Sequence, residues 1–212
     1  MPLLNDRITK QKFNYVVEKV QARLTGWKAK TLSLAGRCTL INLVLAGIPS
    51  YVMQTVWLPQ ATCDALNKLN RNFLWGSTVD KRKVHQVRWE QVTKNKKHGG
   101  LGIRDTRKAN MAHLAKLGSK IACGSGSIWA QVLRKKYLKN EGMFEHTVRP
   151  GHSPIWKGIR RSFNRIENGF AWNVGNGRIV SLWFDVWVGE TPLCLLVGLF
   201  LRNNGIGRWR IF

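Results

Sequence analysis

The 212-residue sequence predicts a mainly α-helical fold, and three runs of apolar residues carry this prediction. Apolar side chains recur at steps of three and four over residues 13–27, again over 34–48, and again over 63–74. Such steps place side chains on one face of a helix, and each run ends close to a glycine or a proline. Together they predict a compact three-helix unit near the N-terminus.

The first of these helices is predicted to begin at Phe13 and to end near Gly26. Ser33 is a candidate N-cap for the second helix, because its hydroxyl can accept a hydrogen bond from the first turn. The apolar residues of this second helix cover most of its circumference, which predicts a central position. We expect Pro49 to end it, since proline removes a backbone donor.

The third helix is predicted to open after Pro59 and to end near Gly76. Residues 77–104 then lose helical spacing and hold several lysines and glycines, which indicates a basic connector. Within it, the alternating pattern of residues 84–92 predicts a short strand.

Helical spacing resumes at Ala109, with Thr106 as the candidate N-cap and Gly124 as the stop. Ser127 is expected to cap another short helix. A glycine-rich and proline-rich break at residues 142–154 follows these two helices.

After this break, apolar residues at 156, 159 and 163 predict one more short helix. Residues 169–174 and 178–184 flank Gly175-Asn176-Gly177, a pattern typical of a β-hairpin. The predicted domains are therefore a three-helix unit at 1–76, a basic connector at 77–104, short helices at 105–141, a small helix plus β-hairpin at 142–201, and an irregular tail at 202–212.

Charge is the strongest compositional signal. The chain has 35 Lys and Arg against 11 Asp and Glu, a formal net charge of +24, and the excess is spread over its whole length. Such a charge attracts polyanions, and nucleic acid is the usual one because neutralised phosphates release counterions. An anionic membrane surface is the alternative partner on charge alone.

The sequence does not predict a catalytic, cofactor or metal site. No two Asp residues are adjacent, as a two-metal centre would favour, and the four cysteines and five histidines lack metal-ligand spacing. We expect the histidines to lie at the surface. The glycine-rich segment 98–102 lacks the Lys-Ser/Thr ending of a phosphate-binding loop, so we interpret it as a flexible turn.

Apolar stretches and the N-terminus bear on location. The longest apolar stretches fall short of the roughly 20 residues of a membrane span, and residues 5–7 are polar where a signal peptide needs an apolar segment. We therefore expect a protein without a membrane partner that is nuclear or cytoplasmic and is not secreted.

A long series of motifs gives the sequence a specific resemblance. In chain order they are Gly26-Trp27-Lys28, Leu32-Ser33-Leu34-Ala35-Gly36-Arg37, Leu40-Ile41, Ile48-Pro49-Ser50-Tyr51, Leu58-Pro59, Phe73-Leu74-Trp75-Gly76, Trp89, Gly99-Gly100-Leu101-Gly102-Ile103, the block 133–137, Trp172, Val174-Gly175-Asn176-Gly177, Trp183, Asp185, Trp187 and Pro192-Leu193. On these motifs the chain resembles the reverse-transcriptase polyprotein of plant LINE-type (non-LTR) retrotransposons, whose members are often labelled ribonuclease H proteins.

The resemblance implies a position within that polyprotein. In the family, this stretch is the thumb-like and connecting region between the polymerase palm and a Cys/His-rich zinc-binding segment that precedes the ribonuclease H domain. It implies that residues 1–76 are a thumb-like unit, that the region grips template and primer, and that the catalytic carboxylates belong to domains outside this chain. We expect a truncated or relic element.

The leading hypothesis is a fragment that binds nucleic acid through its phosphates without catalysis and without a cofactor. The residues expected to carry this binding are Lys28, Lys30, Arg37, Arg71, Arg134, Lys135 and Lys136. An alternative is a module that docks onto the remaining polyprotein domains, or a relic without present activity. A residual polymerase or ribonuclease H activity is a further alternative.

Overall fold

The computed structural model confirms the mainly α fold. It describes residues 8–25, 31–77, 83–124, 126–139, 141–144, 146–166, 169–171, 173–174, 180–184, 186–189 and 191–195, and no strand occurs among them. The chain divides into two compact units, Met1–Asn164 and Arg165–Phe212. All the helices below belong to the first unit.

Eight helices lie among the described residues. They are α1 (Asn14–Thr25), α2 (Leu34–Leu40), α3 (Gly47–Met53), α4 (Gln60–Trp75), α5 (Trp89–Val92), α6 (Thr106–Ala122), α7 (Ile128–Leu133) and α8 (Pro154–Phe163). Short 3-10 turns lie at Gln11–Phe13 and Lys96–His98, and π turns at Ile41–Leu45 and Arg134–Leu138.

The predicted three-helix unit is present, with α1 and α4 packed against each other and against the 34–53 helix. Its core consists of apolar side chains from all three helices, including Phe13, Leu45 and Leu66. The Ser33 hydroxyl accepts a hydrogen bond from Gly36 N at 3.1 Å, which confirms the predicted N-cap. Gly76 ends α4 with φ +66°, a left-handed conformation that glycine adopts without a steric penalty.

The predicted end of the second helix was wrong, because the helix continues through Pro49 to Met53. In the π turn, Ala46 N donates to Ile41 O, five residues back. Pro49 then lies in the first turn after this change of hydrogen-bond register, where its missing N–H is tolerated.

The resulting 20-residue helix, Leu34–Met53, has a mean hydropathy of 1.2 and is long and apolar enough to span a membrane by length and composition. The expectation that the apolar stretch is too short was therefore also wrong. Only 28% of its apolar window is buried, on the side that packs against α1 and α4, so the predicted central position of this helix was wrong as well.

Three further local predictions need correction. Residues 84–92 form no strand: Val84 and Val87 are exposed, whereas Trp89 and Val92 bury one side of the short helix α5. The N-cap of α6 is Asp105, which accepts from Lys108 N at 2.9 Å, and Thr106 is the first helical residue. The β-hairpin is not shown, because the described residues of 169–184 contain no strand and its turn at 175–177 lies outside them.

One buried asparagine joins α6 to the segment between α3 and α4. Asn110 is completely buried; its amide donates to Met53 O at 3.0 Å and Val56 O at 2.8 Å, and its side-chain oxygen accepts from Leu58 N at 3.0 Å. These bonds satisfy three backbone groups that the short connection cannot satisfy itself. The connection 54–59 is therefore held in one conformation.

Helices α6 and α8 pack closely because glycine lies at their contact. A Cβ added at Gly118 of α6 would lie 2.9 Å from Cδ2 and 3.0 Å from Cβ of Phe163, whose side chain is fully buried on α8. Both distances are shorter than normal carbon–carbon contact. The glycine thus sets the spacing of the two helices.

We expect Gly118→Ala to lower the free energy of unfolding by about 1–3 kcal/mol, because the helices must separate to admit the methyl group. Gly47→Ala is the matched control: Gly47 is also helical, but nothing lies within 4 Å of an added Cβ. That change should stabilise the protein by about 0.5–1 kcal/mol through helix propensity alone. Urea unfolding of both variants checks the prediction, and equal effects at the two positions would contradict it.

The second unit is described only in part. Within it, the Trp187 indole donates from Nε1 to Leu182 O at 2.9 Å, and Cys194 N donates to Trp183 O at 2.9 Å. These bonds link residues of 182–194 to one another.

Candidate nucleic-acid interface

The structure places two of the predicted phosphate-binding arginines at the C-terminal ends of helices. Arg37 donates from Nη1 to Leu74 O of α4 at 2.9 Å, and from Nε and Nη2 to Leu32 O at 3.1 and 2.9 Å. Arg134 donates from Nη1 to Ile121 O of α6 at 3.1 Å. Arginine suits both positions, because carbonyls at a helix C-terminus lack intrahelical partners and carry partial negative charge.

The other predicted residues differ in accessibility. Lys135 and Lys136 are exposed, and the Lys136 ammonium lies 5.3 Å from the centre of the Tyr137 ring. Arg71 is half-buried, and its Nε is buried with no hydrogen-bond partner among the described residues. Lys28 and Lys30 lie outside the described residues. Among the described members of the set, Arg37 and Arg134 contact the ends of different helices.

The structure instead shows a row of cations along α6, which we call the α6 basic row: Arg104, Lys108, Lys116 and Lys120. All four are exposed. Arg104 directly precedes the N-cap of α6, and Lys108, Lys116 and Lys120 lie along the helix at multiples of four residues, so that they wind gradually around its surface by about 40° for every four residues. Positions four residues apart are about 6 Å apart along the axis. The row was not among the residues predicted to bind nucleic acid.

His113 reports the positive potential beside this row. Burial lowers the pKa of its imidazole, and the charges of Arg104 and Lys116 lower that pKa further. Both positive charges disfavour a further cation at His113.

Few carboxylates neutralise these cations in the part of the chain that the structure describes. The ion pairs between described residues both use Glu141, which lies 2.9 Å from His146 Nδ1 and 3.9 Å from Arg149. No carboxylate of the described residues forms an ion pair with a member of the α6 basic row. The positive charge of this row is therefore available to an external anion.

Among the described residues, the arrangement that most resembles a catalytic site is a buried histidine. Its contacts hold the fold together rather than leave a nitrogen for a substrate. His146 is 3% exposed, which corrects the expectation that all histidines lie at the surface. Trp156 Nε1 donates to His146 Nε2 at 3.3 Å, so Nδ1 donates to Glu141 at 2.9 Å. Both ring nitrogens are occupied, whereas a general base needs one nitrogen within reach of the substrate.

Cysteine and metal chemistry find no better support among the described residues. Burial raises the pKa of the Cys63 thiol to about 11, which keeps it protonated and unreactive at neutral pH. The described His, Cys, Asp and Glu side chains form no group of three or more that could hold a metal ion.

The glycine-rich segment 98–102 uses its amides internally. Gly100 N donates to Asn95 O, Leu101 N to Val92 O and Gly102 N to Lys94 O, at 3.0–3.2 Å. A phosphate-binding loop would direct such amides outward.

Sequence reasoning also missed a pair of arginines that meet on one tryptophan. The guanidinium carbons of Arg107 on α6 and Arg161 on α8 lie 4.8 and 4.7 Å from the centre of the Trp57 ring. Both arginines belong to basic clusters that are visible in the sequence, but they are 54 positions apart, and only the packing of α6 against α8 brings them together.

These features define a basic, mainly helical protein with exposed cations along one helix and few carboxylates to neutralise them. In sequence it is 39% identical over 196 residues to the Arabidopsis thaliana protein named "Putative ribonuclease H protein At1g65750", over 91% of this chain and 32% of that relative. It is 32% identical over 148 residues to "Uncharacterized mitochondrial protein AtMg00310" of the same plant, over 69% of this chain and 96% of that relative. The chain belongs to the family of AtMg00310.

These matches confirm the coarser part of the resemblance. The chain is related to plant retrotransposon proteins, and one of its relatives is named a ribonuclease H protein. The chain spans about a third of the length of that larger relative. No protein-family profile matches the chain, and no solved structure matches it.

Proposed function

We propose that this chain binds nucleic acid through its phosphates, without catalysis, as the thumb and connector region of a non-LTR, LINE-type reverse transcriptase. The observation that carries the proposal is the α6 basic row, four exposed cations at the start of α6 and along it that form no ion pair with a carboxylate of the described residues. Cations in such a row can neutralise successive phosphates and release their counterions. The family relationship supports the retroelement setting.

The wider charge distribution supports binding without sequence preference. Phosphate contacts fix the position of a protein on nucleic acid but carry no sequence information. Exposed Lys135 and Lys136 are expected to add contacts, and Lys28, Lys30, Arg37 and Arg71 stay predictions of the same kind. Nuclear or cytoplasmic location is part of this proposal, although one relative is named a mitochondrial protein.

The test is binding of the full chain to a fluorescein-labelled RNA–DNA primer-template, followed by anisotropy over a salt series. For roughly six phosphate contacts, affinity should fall about a thousandfold between about 50 and 200 mM salt. Affinity that does not depend on salt would overturn the proposal. Incorporation or cleavage of the same substrate by the pure chain with magnesium would overturn its non-catalytic part.

Neutralising the α6 basic row should reduce this salt dependence. In the variant Lys108→Gln, Lys116→Gln, Lys120→Gln, we expect the slope of log affinity against log salt to fall by roughly 3, since each lost contact removes about one. The control removes the same total charge from other segments of the chain, with the exposed residues Lys10, Lys19 and Lys68 changed to Gln. An equal change in both variants would show that only net charge matters.

Docking onto other polyprotein domains is a second candidate function. Leu43 and Tyr51 on the 34–53 helix are 74% and 66% exposed, and large exposed apolar side chains that share a helix face often mark a protein contact. Mixing the chain with an intact family polymerase and measuring complex formation by sedimentation tests this candidate. A Leu43→Lys, Tyr51→Lys variant should then lose the complex and keep nucleic-acid binding.

A further inference from the structure

The Trp57 indole carries two guanidinium groups and lies at the meeting point of three elements. Arg107 comes from the first turn of α6, Arg161 from the last turn of α8, and Trp57 from the connection between α3 and α4. We propose that Arg107 and Arg161, held on Trp57, form a binding site for the phosphodiester backbone of nucleic acid. This inference rests on the proposed function and assigns it a specific site outside the predicted set.

Buried structure holds each part of this site in place. Asn110 fixes the connection that carries Trp57 through three hydrogen bonds to its flanking backbone. On the other side, a Cβ added at Gly158 of α8 would lie 3.1 Å from Trp57 Cβ, so the absence of a side chain there lets α8 approach the tryptophan. The platform is thus formed before any ligand binds, which lowers the entropic cost of binding.

The polar contacts of the two arginines leave donors for an anion. Arg107 donates from Nε to Gln60 Oε1 at 3.0 Å, and its Nη1 lies 3.5 Å from Asn110 Oδ1. Arg161 is exposed. A guanidinium stacked on an aromatic ring keeps its N–H groups at the edge, and their fork geometry matches phosphate oxygens.

The nearby carboxylates do not neutralise the pair. Asp64 accepts from Gln60 Nε2 at 2.8 Å, and Asp105 accepts from Asn67 Nδ2 at 2.8 Å and from Lys108 N. Neither forms an ion pair with Arg107 or Arg161 in the described part of the chain. Two like charges on one ring repel each other, and a bound anion would relieve that repulsion.

The two guanidinium groups lie close enough together to contact one stretch of nucleic-acid backbone. Their carbons are no further apart than the sum of their distances to the ring centre. Because each strand of a duplex carries one charge per roughly 3.4 Å of axis, groups within this limit can contact the same phosphate or neighbouring ones. Arg107 also directly precedes Lys108, which connects the site to the α6 basic row.

The decisive variant is Arg107→Gln, Arg161→Gln in the full chain, measured with the labelled primer-template over the same salt series. We expect the salt slope to fall by about 2 and affinity to drop at least tenfold near 100 mM salt. The matched control is Arg23→Gln, Arg88→Gln, which removes two exposed arginines of other segments. A slope equal to wild type, or equal to that of the control, overturns the inference.

A charge-neutral variant separates the platform from simple loss of charge. Trp57→Leu keeps both arginines but removes the ring on which they rest, so affinity should fall several-fold, and Trp57→Phe should restore most of it. If Trp57→Leu fails to fold, as checked by circular dichroism, the single change Arg161→Gln at an exposed position decides, with an expected slope change of about 1.

The outcomes also separate the two proposals. If the wild-type chain binds no nucleic acid, both the proposed function and this inference are overturned. If it binds with normal salt dependence and the arginine variant binds equally well, only the site is overturned.

Discussion

Asn110→Ala is expected to lower the free energy of unfolding by about 3 kcal/mol. The change leaves the carbonyls of Met53 and Val56 and the N–H of Leu58 without their partner, in a fully buried setting. Each buried polar group that loses its hydrogen bond costs about 1–3 kcal/mol, and water cannot easily replace the side chain there. The measurement is the urea midpoint and slope followed by circular dichroism.

Asn14→Ala is the control for this prediction, since Asn14 is exposed at the start of α1. Its effect should stay within about 0.5 kcal/mol. A loss at Asn110 no larger than the loss at Asn14 would mean that the connection 54–59 does not depend on this side chain. Asn110→Ala should also weaken nucleic-acid binding, because Trp57 would lose its fixed position.

The second large effect is expected at Gly100, where Gly100→Ala should destabilise the protein by roughly 3 kcal/mol. An added Cβ would overlap the carbonyl of Lys94 and lie 2.7 Å from its Cα, and backbone atoms cannot move aside as a flexible side chain can. The segment 94–102 would have to open and lose three backbone hydrogen bonds, each worth about 1 kcal/mol. Thermal unfolding, with its midpoint and enthalpy, measures the loss.

The neighbouring Gly99 provides a control with a different physical cause. Its φ is +76°, but nothing lies within 4 Å of an added Cβ. Gly99→Ala should therefore cost only the left-handed backbone penalty of about 1–2 kcal/mol. If both glycines gave the same loss, close approach to Lys94 would not be the reason for glycine at position 100.

Local rules predicted most of the helices, because each depends on residues within a few positions of one another. Ser33 and Gly76 act through neighbours three to four residues away, and the structure confirms both. The extension through Pro49 was missed because it depends on the π turn, whose hydrogen-bond register no apolar pattern reveals. The prediction of a strand at 84–92 was wrong because two of its valines face solvent. An alternating pattern alone does not show whether its apolar residues are buried.

The candidate binding surface was less predictable, since it depends on where the ends of the long basic side chains lie. Arg37 and Arg134 are basic in sequence, yet both donate to carbonyls at helix ends. Conversely, Arg107 and Arg161 gain their arrangement from Trp57, a residue far from both in sequence. A search for cations at steps of four would have found the α6 basic row, but no local rule would have found the pair.

The hydrogen bonds of Asn110 also affect how this chain can be divided and recombined. They link α6 to backbone groups 52–57 positions earlier, across the connector at 77–104. A recombination event that replaced either half with a distant relative would have to supply a matching asparagine and a matching turn together. Residues 34–77 and 103–123 should therefore be inherited together when retroelements recombine.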